Sequence, residues 1–503
     1  MLKKIFAFSL FLLIIPFSIN AKAATDEIIY EQPISVEVKK AASAALTLHG
    51  LYYVKTPSEK ILVSPGTIVN LQKNSSTLTA AFGAFNVSST SEIEIKEAAG
   101  AKKIVSFTNT VWAKNAPGAT SQNVIRYYNG EAAEYVKSVI ISGTEWYIIQ
   151  AKNGSELAVP KDNSVSLKDV PDIALLSLST DFQYRGSIVY NQSSQLVNKL
   201  SMESYLKGVV PNEMPASWTS EALKAQAVAA RSYAHVKSKR GILSSSVSSQ
   251  VYKGYKSENS NTNRAIDDTK GLVVKNGNTV IETFFHSTSG GRTANVGDVW
   301  NSPQSSFPYL VSVADGYEAS PHSTWQDSFK SEDILKQFGF NSGTTLYGIS
   351  IEKKGANGEV GAVTVNTSAG DKRIAGNELT IRKLFPLPNY YGLLRSNWFT
   401  MTAAKSYQIQ SQSTLSSQFG IKGHSVQTSS GVSALSNDTV DIQVNGSVIT
   451  KETDPKTIVL NGKGWGHRIG MSQYGAKGYA ENGWTYTRIL NHYFQGTTIG
   501  SLN

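Results

Sequence analysis

Glu213 is the acidic residue with the most unusual local sequence in this chain. It lies within a Pro-Asn-Glu-Met-Pro segment that begins at Pro211, and Trp218 follows shortly after. Apolar neighbours would withdraw the carboxyl group from water, and desolvation raises the pKa of a carboxyl group. A glutamate that stays protonated near neutral pH is suited to act as a general acid. The alternative is that Glu213 only stabilises a turn between the two prolines.

A helix is predicted after this turn, from about Ser220 to Lys237, because strong helix formers dominate and no Gly or Pro interrupts. At helical spacing, Lys224, Arg231 and His235 share one face, which is either solvated surface or the wall of a cleft. In a cleft, Lys224 and Arg231 could bind substrate. Cations close to Glu213 would also lower its pKa, and the sequence leaves open whether this effect or desolvation is larger. The adjoining face consists of small apolar residues suited to close packing: Leu223, Ala227, Ala230 and Ala234.

The densest glycine run lies near the C-terminal end, from Gly462 to Gly475. It lacks the third glycine of a dinucleotide-binding loop, has no acidic residue about 20 residues further on and does not open a βαβ unit. The glycines instead predict a tight loop with positive φ angles or close approach to a ligand. Trp and Tyr beside glycine can lie flat against a sugar ring. The alternative is a buried turn with a structural tryptophan. The side chains that such a loop would present are Trp465, His467, Gln473 and Tyr474.

Two classes of hydrolase are disfavoured. Ser287 and Ser289 lie near glycines, but neither has the glycine two residues earlier that a nucleophile elbow needs. The seven histidines form no His-Glu-x-x-His pair and no other short metal-ligand spacing. The chain has no cysteine, which excludes disulfides, thiolate nucleophiles, iron–sulfur clusters and cysteine zinc sites. We therefore predict neither a metal nor a cofactor.

The elements that would position these residues fall into two regions. With 503 residues, of which 40% are hydrophobic, the chain can bury a core and is expected to form two or three domains. Short alternating segments separated by Gly-containing turns predict a β-rich accessory region over residues 24–171. Its one histidine, His49, is interpreted as structural. Residues 172–503 mix strands with helices and contain a Ser- and Gln-rich polar insertion at about 406–450.

The first 23 residues predict a signal peptide. Lys3 and Lys4 precede an apolar run from Ile5 to Phe17, and Ala21-Lys22-Ala23 places small residues where a signal peptidase cleaves. The run is shorter than the roughly 20 residues needed to span a bilayer, so an uncleaved anchor is the alternative. We expect a secreted protein.

The chain is moderately basic, with 48 Lys and Arg against 38 Asp and Glu and a net charge of +10. Outside a cell this charge suits polyanions such as a cell wall with teichoic acid or free carboxylates. The alternative is that the charge only aids solubility. The basic residues are scattered and no aromatic-basic motif occurs, so nucleic acid is not an expected partner.

Four motifs in order resemble the SpoIID/LytB family, which comprises stage II sporulation protein D and the amidase-enhancer proteins. The resemblance covers about residues 172–400 and 455–498 and leaves out the N-terminal region and the polar insertion. It implies an α+β fold, in which a mixed catalytic domain with a glycan-binding groove follows the β-rich accessory region. The motifs are Met202 to Pro215, Glu221 to Ala234, His286 to Thr293 and the Gly-Trp-Gly-His run that begins at Gly464.

The resemblance also implies lytic transglycosylase activity on peptidoglycan strands stripped of stem peptides. Glu213 would be the catalytic acid and base, and Lys224 and Arg231 would support substrate binding from the helix. One carboxyl group suffices, because the 6-hydroxyl of muramic acid is itself the nucleophile. The remaining substrate-binding residues would be His286, His467, Gln473 and Tyr474.

Ser289 marks a departure from the family pattern. Sporulation members often carry zinc bound by a cysteine in a Ser-Thr-Cys-Gly-Gly segment, where this chain has Ser289. We expect a hydrogen-bonded serine to stabilise the turn there. The leader and the extra N-terminal region resemble the secreted amidase-enhancer branch. The expected partners are therefore glycan strands and a cell-wall amidase, and the alternative function is a non-catalytic, glycan-binding enhancer of an N-acetylmuramoyl-L-alanine amidase.

Overall fold

The computed structural model describes residues 26–403, 407–410, 415–418, 420–428, 430–454 and 456–502. The predicted signal peptide, residues 1–23, lies outside the described residues. Strands and helices both occur, which confirms the mixed class expected from the sequence. The chain divides into two compact units, with the boundary between Leu200 and Ser201. Across the described ranges, no helix combines the length and apolarity needed to cross a membrane.

The first unit consists of strands and their connections throughout residues 26–200. One sheet has the strand order Gln183–Tyr184, Leu176–Ser177, Ser43–Leu48, Ile68–Asn74, Thr77–Phe82, Phe85–Ser89. A second has the order Asn123–Tyr127, Val111–Lys114, Glu156–Pro160, Thr144–Gln150, Ala132–Ile141, Lys103–Phe107, Val165–Asp169. A third has the order Pro33–Lys40, Gln195–Ser201, Ser187–Asn191, Glu92–Ala99, Tyr52–Lys55, Lys60–Val63, and Asp26–Glu27 pairs with Glu92–Ala99.

The strands of this unit follow the predicted alternation. In Glu92–Ala99, Ile93 and Ile95 are buried in the core, whereas Glu92 is exposed. His49 donates or accepts a hydrogen bond at 2.8 Å with Ser177 Oγ, as expected for a structural histidine.

The unit boundary lies later in the chain than residue 172. Leu176–Ser177 pairs with Ser43–Leu48, and Ser187–Asn191 pairs with Glu92–Ala99. Ile188 and Tyr190 are buried in the same core cluster as the earlier strands. Residues 172–200 therefore complete sheets of the first unit, a long-range pairing that local sequence does not reveal.

The second unit contains the helices of the described structure. The helix Ser220–Ser238 matches the predicted helix and packs against the helices Ser260–Asp268, Gln473–Glu481 and Tyr486–Tyr493 and the strand Leu272–Asn276. Its small apolar residues Leu223, Ala227, Ala230 and Ala234 are all buried, as predicted. The helices are α1 Met202–Lys207, α2 Val210–Glu213, α3 Ser220–Ser238, α4 Ser260–Asp268, α5 Val296–Val299, α6 Ser331–Gln337, α7 Glu378–Lys383, α8 Gln473–Glu481 and α9 Tyr486–Tyr493.

Short sheets surround these helices. Phe285–His286 runs parallel to Met471–Ser472 and so brings the third and fourth sequence motifs together. Three further sheets have three strands each. The first has the order Thr279–Val280, Leu272–Asn276, Thr498–Ser501, and the second has the order Thr324–Lys330, Thr457–Lys463, Phe399–Ala403. The third has the order Leu346–Lys354, Glu359–Thr367, Lys372–Ala375.

The polar insertion forms hairpins with mostly exposed side chains. Few large apolar residues occur in this segment, so the hairpins bury little surface of their own. Their paired strands are Tyr407–Gln410 with Leu415–Gln418, Ser425–Thr428 with Gly431–Ala434, and Thr439–Val444 with Ser447–Glu452.

Candidate functional site

A cavity of about 530 Å³ in the second unit brings together four of the predicted site residues: Glu213, His286, His467 and Gln473. It is lined mainly by aromatic and polar side chains, the composition of a small-molecule or sugar site. Trp465 also lies in its wall, which supports the interpretation of the glycine run as a ligand-facing loop. We name this space the Glu213 cavity. Its other lining residues include Tyr233, Phe284, Phe285, Trp300, Glu378, Arg382, Tyr390 and Tyr391.

Glu213 is the last residue of α2. Helix α1 ends at Lys207, and Pro211 lies in the first turn of α2. Proline is well tolerated there because the first-turn N–H groups have no partner within the helix. The helix end places the half-buried Glu213 side chain at the edge of the cavity.

Burial raises the pKa of the Glu213 carboxyl group above its ordinary value. Two hydrogen bonds oppose this effect in part: the backbone N–H of Val251 donates to Glu213 Oε1 at 2.8 Å, and the Gln473 side chain also donates to the carboxyl group. Neither Lys224 nor Arg231 is among the causes of the shift. Desolvation therefore outweighs the charge effects that the sequence analysis left unresolved.

Arg231 is not placed to bind substrate. Its side chain is fully buried and forms a bidentate pair with Glu203, at 2.9 Å from Nε and 2.7 Å from Nη2. The guanidinium group also donates to the carbonyl oxygens of Ile266 and Leu272. At Arg231, the predicted cationic face of α3 is therefore neither solvated surface nor the wall of a cleft. Neighbouring elements cover this side chain completely. Arg231 fixes α3 to α1 and to the Leu272–Asn276 strand.

Lys224 and Tyr474 also lie outside the lining of the Glu213 cavity. Lys224 Nζ is 3.4 Å from Glu221 and 3.2 Å from Asp268, so its charge is already paired. The Tyr474 ring packs edge-on against Trp218, with 4.9 Å between the ring centroids. Both side chains therefore stabilise the packing of elements next to Glu213.

The glycine run has the backbone conformation that its composition predicts. Gly464 has φ +74° and Gly466 has φ +104°, values that residues with a side chain rarely adopt. A Cβ on Gly464 would lie 2.8 Å from the carbonyl oxygen of Thr288. Thr288 and Trp465 exchange backbone hydrogen bonds, so the run is tied directly to the His286 motif.

His286 and His467 line the cavity as neutral imidazoles, because burial lowers the pKa of His286 well below its ordinary value and that of His467 to about 3. His286 Nδ1 lies 3.1 Å from the carbonyl oxygen of Ile469 and must therefore donate to it. Its Nε2 is then an acceptor, and it has no hydrogen-bond partner among the described residues. The Ile469 N–H donates to His467 Nδ1 at 3.0 Å. His286 Nε2 is thus a buried acceptor in the cavity wall.

The segment from α7 to Tyr391 supplies cavity residues that the sequence analysis missed. Glu378 is a second carboxyl group in the wall, but it is only 5% exposed and pairs with Arg382 at 3.3 Å. Tyr390 packs edge-on against Trp465 at 4.9 Å, and Tyr391 is 83% exposed. The tyrosine pair in a Pro-Asn-Tyr-Tyr-Gly turn is the local signal that could have indicated a sugar-binding surface.

Ser289 stabilises the turn of the third motif, as predicted. Its Oγ accepts a hydrogen bond from the N–H of Gly291 at 3.1 Å. Glu318 accepts from the backbone N–H groups of Ser289 and Gly290 and from Ser472 Oγ. These bonds join the third motif to the start of α8.

This arrangement does not fit the zinc site that the family resemblance suggests at this position. Ser289 supplies no thiolate, and both Nδ1 atoms of the neighbouring histidines are engaged with Ile469. Within the ranges that the structure describes, no group of three His, Cys, Asp or Glu side chains is arranged to hold a metal ion. We predict that elemental analysis of the purified protein finds no stoichiometric zinc and that EDTA leaves its unfolding midpoint unchanged. One zinc per chain, or destabilisation by EDTA, would contradict this prediction.

Asp315 contacts the turn of the third motif, since its N–H donates to the Gly291 carbonyl oxygen, and it should make the stability of the protein depend on pH. It is 2% exposed and accepts a hydrogen bond from the Tyr493 hydroxyl at 2.9 Å, and burial with the nearby Glu318 raises its pKa from 3.8 to about 7. Between these values the folded state binds more protons than the unfolded state, so ionisation of Asp315 destabilises the fold as pH rises. Asp315→Asn keeps the acceptor and removes the titration. We expect its free energy of unfolding, relative to wild type, to increase by about 3 kcal/mol from pH 4 to pH 7.

Urea unfolding of both proteins across this pH range measures that difference. A difference that stays constant with pH would show that Asp315 is ionised throughout.

Comparisons with known proteins match the part of the chain that contains Glu213. The family model described as stage II sporulation protein (SpoIID) matches residues 190–275, which include Glu213 and α3. The amidase enhancer of Bacillus subtilis (strain 168) is 35% identical over 312 residues, which cover 59% of this chain and 40% of that protein. Stage II sporulation protein D of the same organism is 27% identical over 331 residues, which cover 62% of this chain and 78% of that protein.

Stage II sporulation protein D of Bacillus amyloliquefaciens is also 27% identical over 331 residues, which cover 62% of this chain and 77% of that protein. The match to the amidase enhancer spans less than half of that protein's length. The resemblance expected from the four motifs is confirmed: the SpoIID model and relatives named amidase enhancer and stage II sporulation protein D all match this chain.

Proposed function

We propose that this protein is a lytic transglycosylase that cleaves peptide-free glycan strands of peptidoglycan, with Glu213 as the general acid and base. The observation that carries the proposal is the Glu213 carboxyl group itself, half-buried with a raised pKa at the edge of an aromatic cavity. Similarity to the SpoIID model and to stage II sporulation protein D supports a role in the cell wall and in sporulation. The predicted signal peptide makes the protein secreted and wall-associated in this proposal.

The reaction needs one carboxyl group in two successive roles. Protonated Glu213 donates its proton to the glycosidic oxygen as the bond from that oxygen to C1 of muramic acid breaks. The resulting carboxylate removes the proton from the 6-hydroxyl of the same sugar, whose oxygen then attacks C1. The product is a 1,6-anhydro end, Glu213 regains its proton and no water is consumed. Glu378 is not needed as a nucleophile, which matters because its carboxyl group is buried and paired with Arg382.

The neighbouring residues suit this chemistry. Val251 N–H and the Gln473 side chain hold the Glu213 carboxyl group in place. Trp465 and Tyr390 offer ring surfaces against which a sugar can stack. The neutral His286 imidazole adds no positive charge to the cavity wall. Among the described residues, no cation contributes to the shift at Glu213, so burial keeps the pKa of its carboxyl group raised.

A second candidate function is the enhancement of a cell-wall amidase, which the name of the Bacillus subtilis relative favours. In that case the same cavity would hold glycan without cleaving it, and the protein would recruit or stimulate an N-acetylmuramoyl-L-alanine amidase. Both functions have glycan strands as the ligand. They differ in whether the protein alone generates product.

The deciding experiment incubates the protein, without its leader, with peptide-free glycan strands and analyses the ends by mass spectrometry. We expect 1,6-anhydromuramoyl ends to accumulate without any amidase present. If none form while the protein accelerates a purified cell-wall amidase, the enhancer function replaces the transglycosylase.

A further inference from the structure

A second cavity of about 530 Å³ lies on the sheet formed by Thr324–Lys330, Thr457–Lys463 and Phe399–Ala403. We name it the Trp398 cavity. None of the residues that line it lines the Glu213 cavity, and none of them is acidic. The proposed reaction uses no residue of this second space.

The lining combines an indole ring, side-chain amides and ammonium groups. Trp398 is partly exposed, and the fully buried guanidinium group of Arg468 covers the ring from the interior at 4.0 Å. Gln326 donates to Asn461 Oδ1 at 2.8 Å at the rim. An aromatic face next to amides is a surface on which a sugar ring can stack and form hydrogen bonds.

Two exposed lysines make this cavity positively charged. Lys353 and Lys463 both line it, and Lys463 Nζ lies 5.1 Å from the centre of the Trp398 ring. Among the described residues, neither ammonium group has a carboxylate within ion-pairing distance, unlike Arg395 nearby, which pairs with Asp327 at 3.1 Å. The charge of the cavity is therefore available to an anionic ligand.

Residues 395–398 and 463–466 lie side by side and connect the two cavities. Lys463 N–H donates to the Trp398 carbonyl oxygen, and Gly466 N–H donates to the Arg395 carbonyl oxygen. Lys463 and Trp398 line the second cavity, whereas Gly466 lines the first. Lys463 and Gly466 are three residues apart, and three residues of extended chain span at most about 11 Å, so these parts of the two cavity walls are close together. A single polysaccharide strand can thus reach both cavities.

We propose that the Trp398 cavity is a second glycan-binding site, which takes a carboxylate-bearing sugar of the same strand that enters the Glu213 cavity. This inference rests on the proposed function, since it specifies the substrate further. Removal of stem peptides exposes the lactyl carboxylate of each muramic acid, and that anion matches the unpaired ammonium groups of Lys353 and Lys463. The site would favour peptide-free strands over strands whose carboxyl groups are substituted.

The test measures the affinity for peptide-free glycan strands and for the same strands after carbodiimide-mediated amidation of their carboxyl groups. All proteins carry Glu213→Gln so that strands stay intact. We expect amidation to weaken binding about tenfold, as two partly exposed ion pairs predict. In the Lys353→Ala/Lys463→Ala variant, native strands should bind about tenfold more weakly and the effect of amidation should disappear. The matched control is Lys256→Ala/Lys451→Ala, which removes two exposed lysines elsewhere and should keep the full difference.

Equal affinity for native and amidated strands would overturn this proposal. So would an equal loss of affinity in the control variant, which would indicate an effect of net charge only. Poly(glycerol phosphate) is the third ligand: if it binds in a manner that depends on Lys353 and Lys463 while amidation has no effect, the site takes a phosphate polymer instead. Formation of anhydro ends by the wild-type protein is measured separately, so failure of the proposed reaction is distinguishable from failure of this site.

Discussion

Replacing Glu213 with glutamine is expected to lower kcat/KM for the formation of 1,6-anhydro ends by about 10²- to 10⁴-fold, the usual contribution of a positioned general acid. Glutamine has nearly the same shape and can still accept the hydrogen bond from Val251 N–H, but it has no proton to donate. The variant should therefore fold and bind glycan normally. Quantification of anhydro ends by mass spectrometry against time gives the rate.

The pH profile gives a second readout of the same substitution. Burial raises the pKa of Glu213, and only the protonated form can start the reaction, so wild-type kcat/KM should fall as pH rises through that raised value. The residual activity of Glu213→Gln should lack this fall.

Glu378→Gln is the discriminating comparison, because it changes the other carboxyl group in the wall of the same cavity. Its pairing with Arg382 makes Glu378 a positioning residue, so we expect a smaller loss than for Glu213→Gln. If Glu378→Gln is the more damaging substitution, the acid has been misassigned.

Local sequence was sufficient for the elements that carry Glu213. Ser201 directly precedes α1 and is a typical N-cap residue, and its side chain accepts a hydrogen bond from the Ser204 N–H. The composition of α3 predicted its length to within one residue, Ser220–Ser238. Helix propensity and capping depend on near neighbours in the chain, so a single sequence contains most of the information.

The partners of buried charges were not predictable in this way. Arg231 has helical spacing relative to Lys224, yet its partner Glu203 lies 28 residues earlier in α1. The cavity wall from Glu378 to Tyr391 lies more than 150 residues after Glu213 and carries no motif that spacing could identify. These residues meet only through tertiary packing. Local sequence therefore singled out Glu213, which lies at a cavity, but not the carboxylates that pair with Arg231 and Lys224.

Arg468 and Glu359 are expected to contribute more to stability than any surface ion pair of the second unit. Both side chains have 0% exposure, and Arg468 Nη1 lies 3.1 Å from Glu359 Oε1. Arg468 also donates to the carbonyl oxygens of Ser289 and Arg292, both at 2.8 Å. Glu359→Gln would leave the guanidinium charge buried without a counter-ion. Breaking a buried pair on one side costs about 3–5 kcal/mol, and we expect the free energy of unfolding to fall by that amount.

Glu352→Gln is the matched control for this prediction. Glu352 lies on the neighbouring strand Leu346–Lys354 and pairs with Arg373, but the two side chains are 65% and 52% exposed. An exposed pair contributes less than about 1 kcal/mol, so this variant should unfold nearly as wild type does in urea. Equal midpoints for the two variants would mean that the buried pair is dispensable.

The buried pair also links stability to the site. Arg468 has φ +63° and lies next to His467, two residues after Gly466, so it anchors the part of the glycine run that lines the Glu213 cavity. The same guanidinium group supports the Trp398 ring in the second cavity. Loss of Glu359 should therefore lower both the rate of cleavage and the affinity for glycan, even in conditions where Glu359→Gln is fully folded. Cleavage at the wild-type rate by folded Glu359→Gln would limit the pair to a purely structural role, because the loop would then hold its geometry without it.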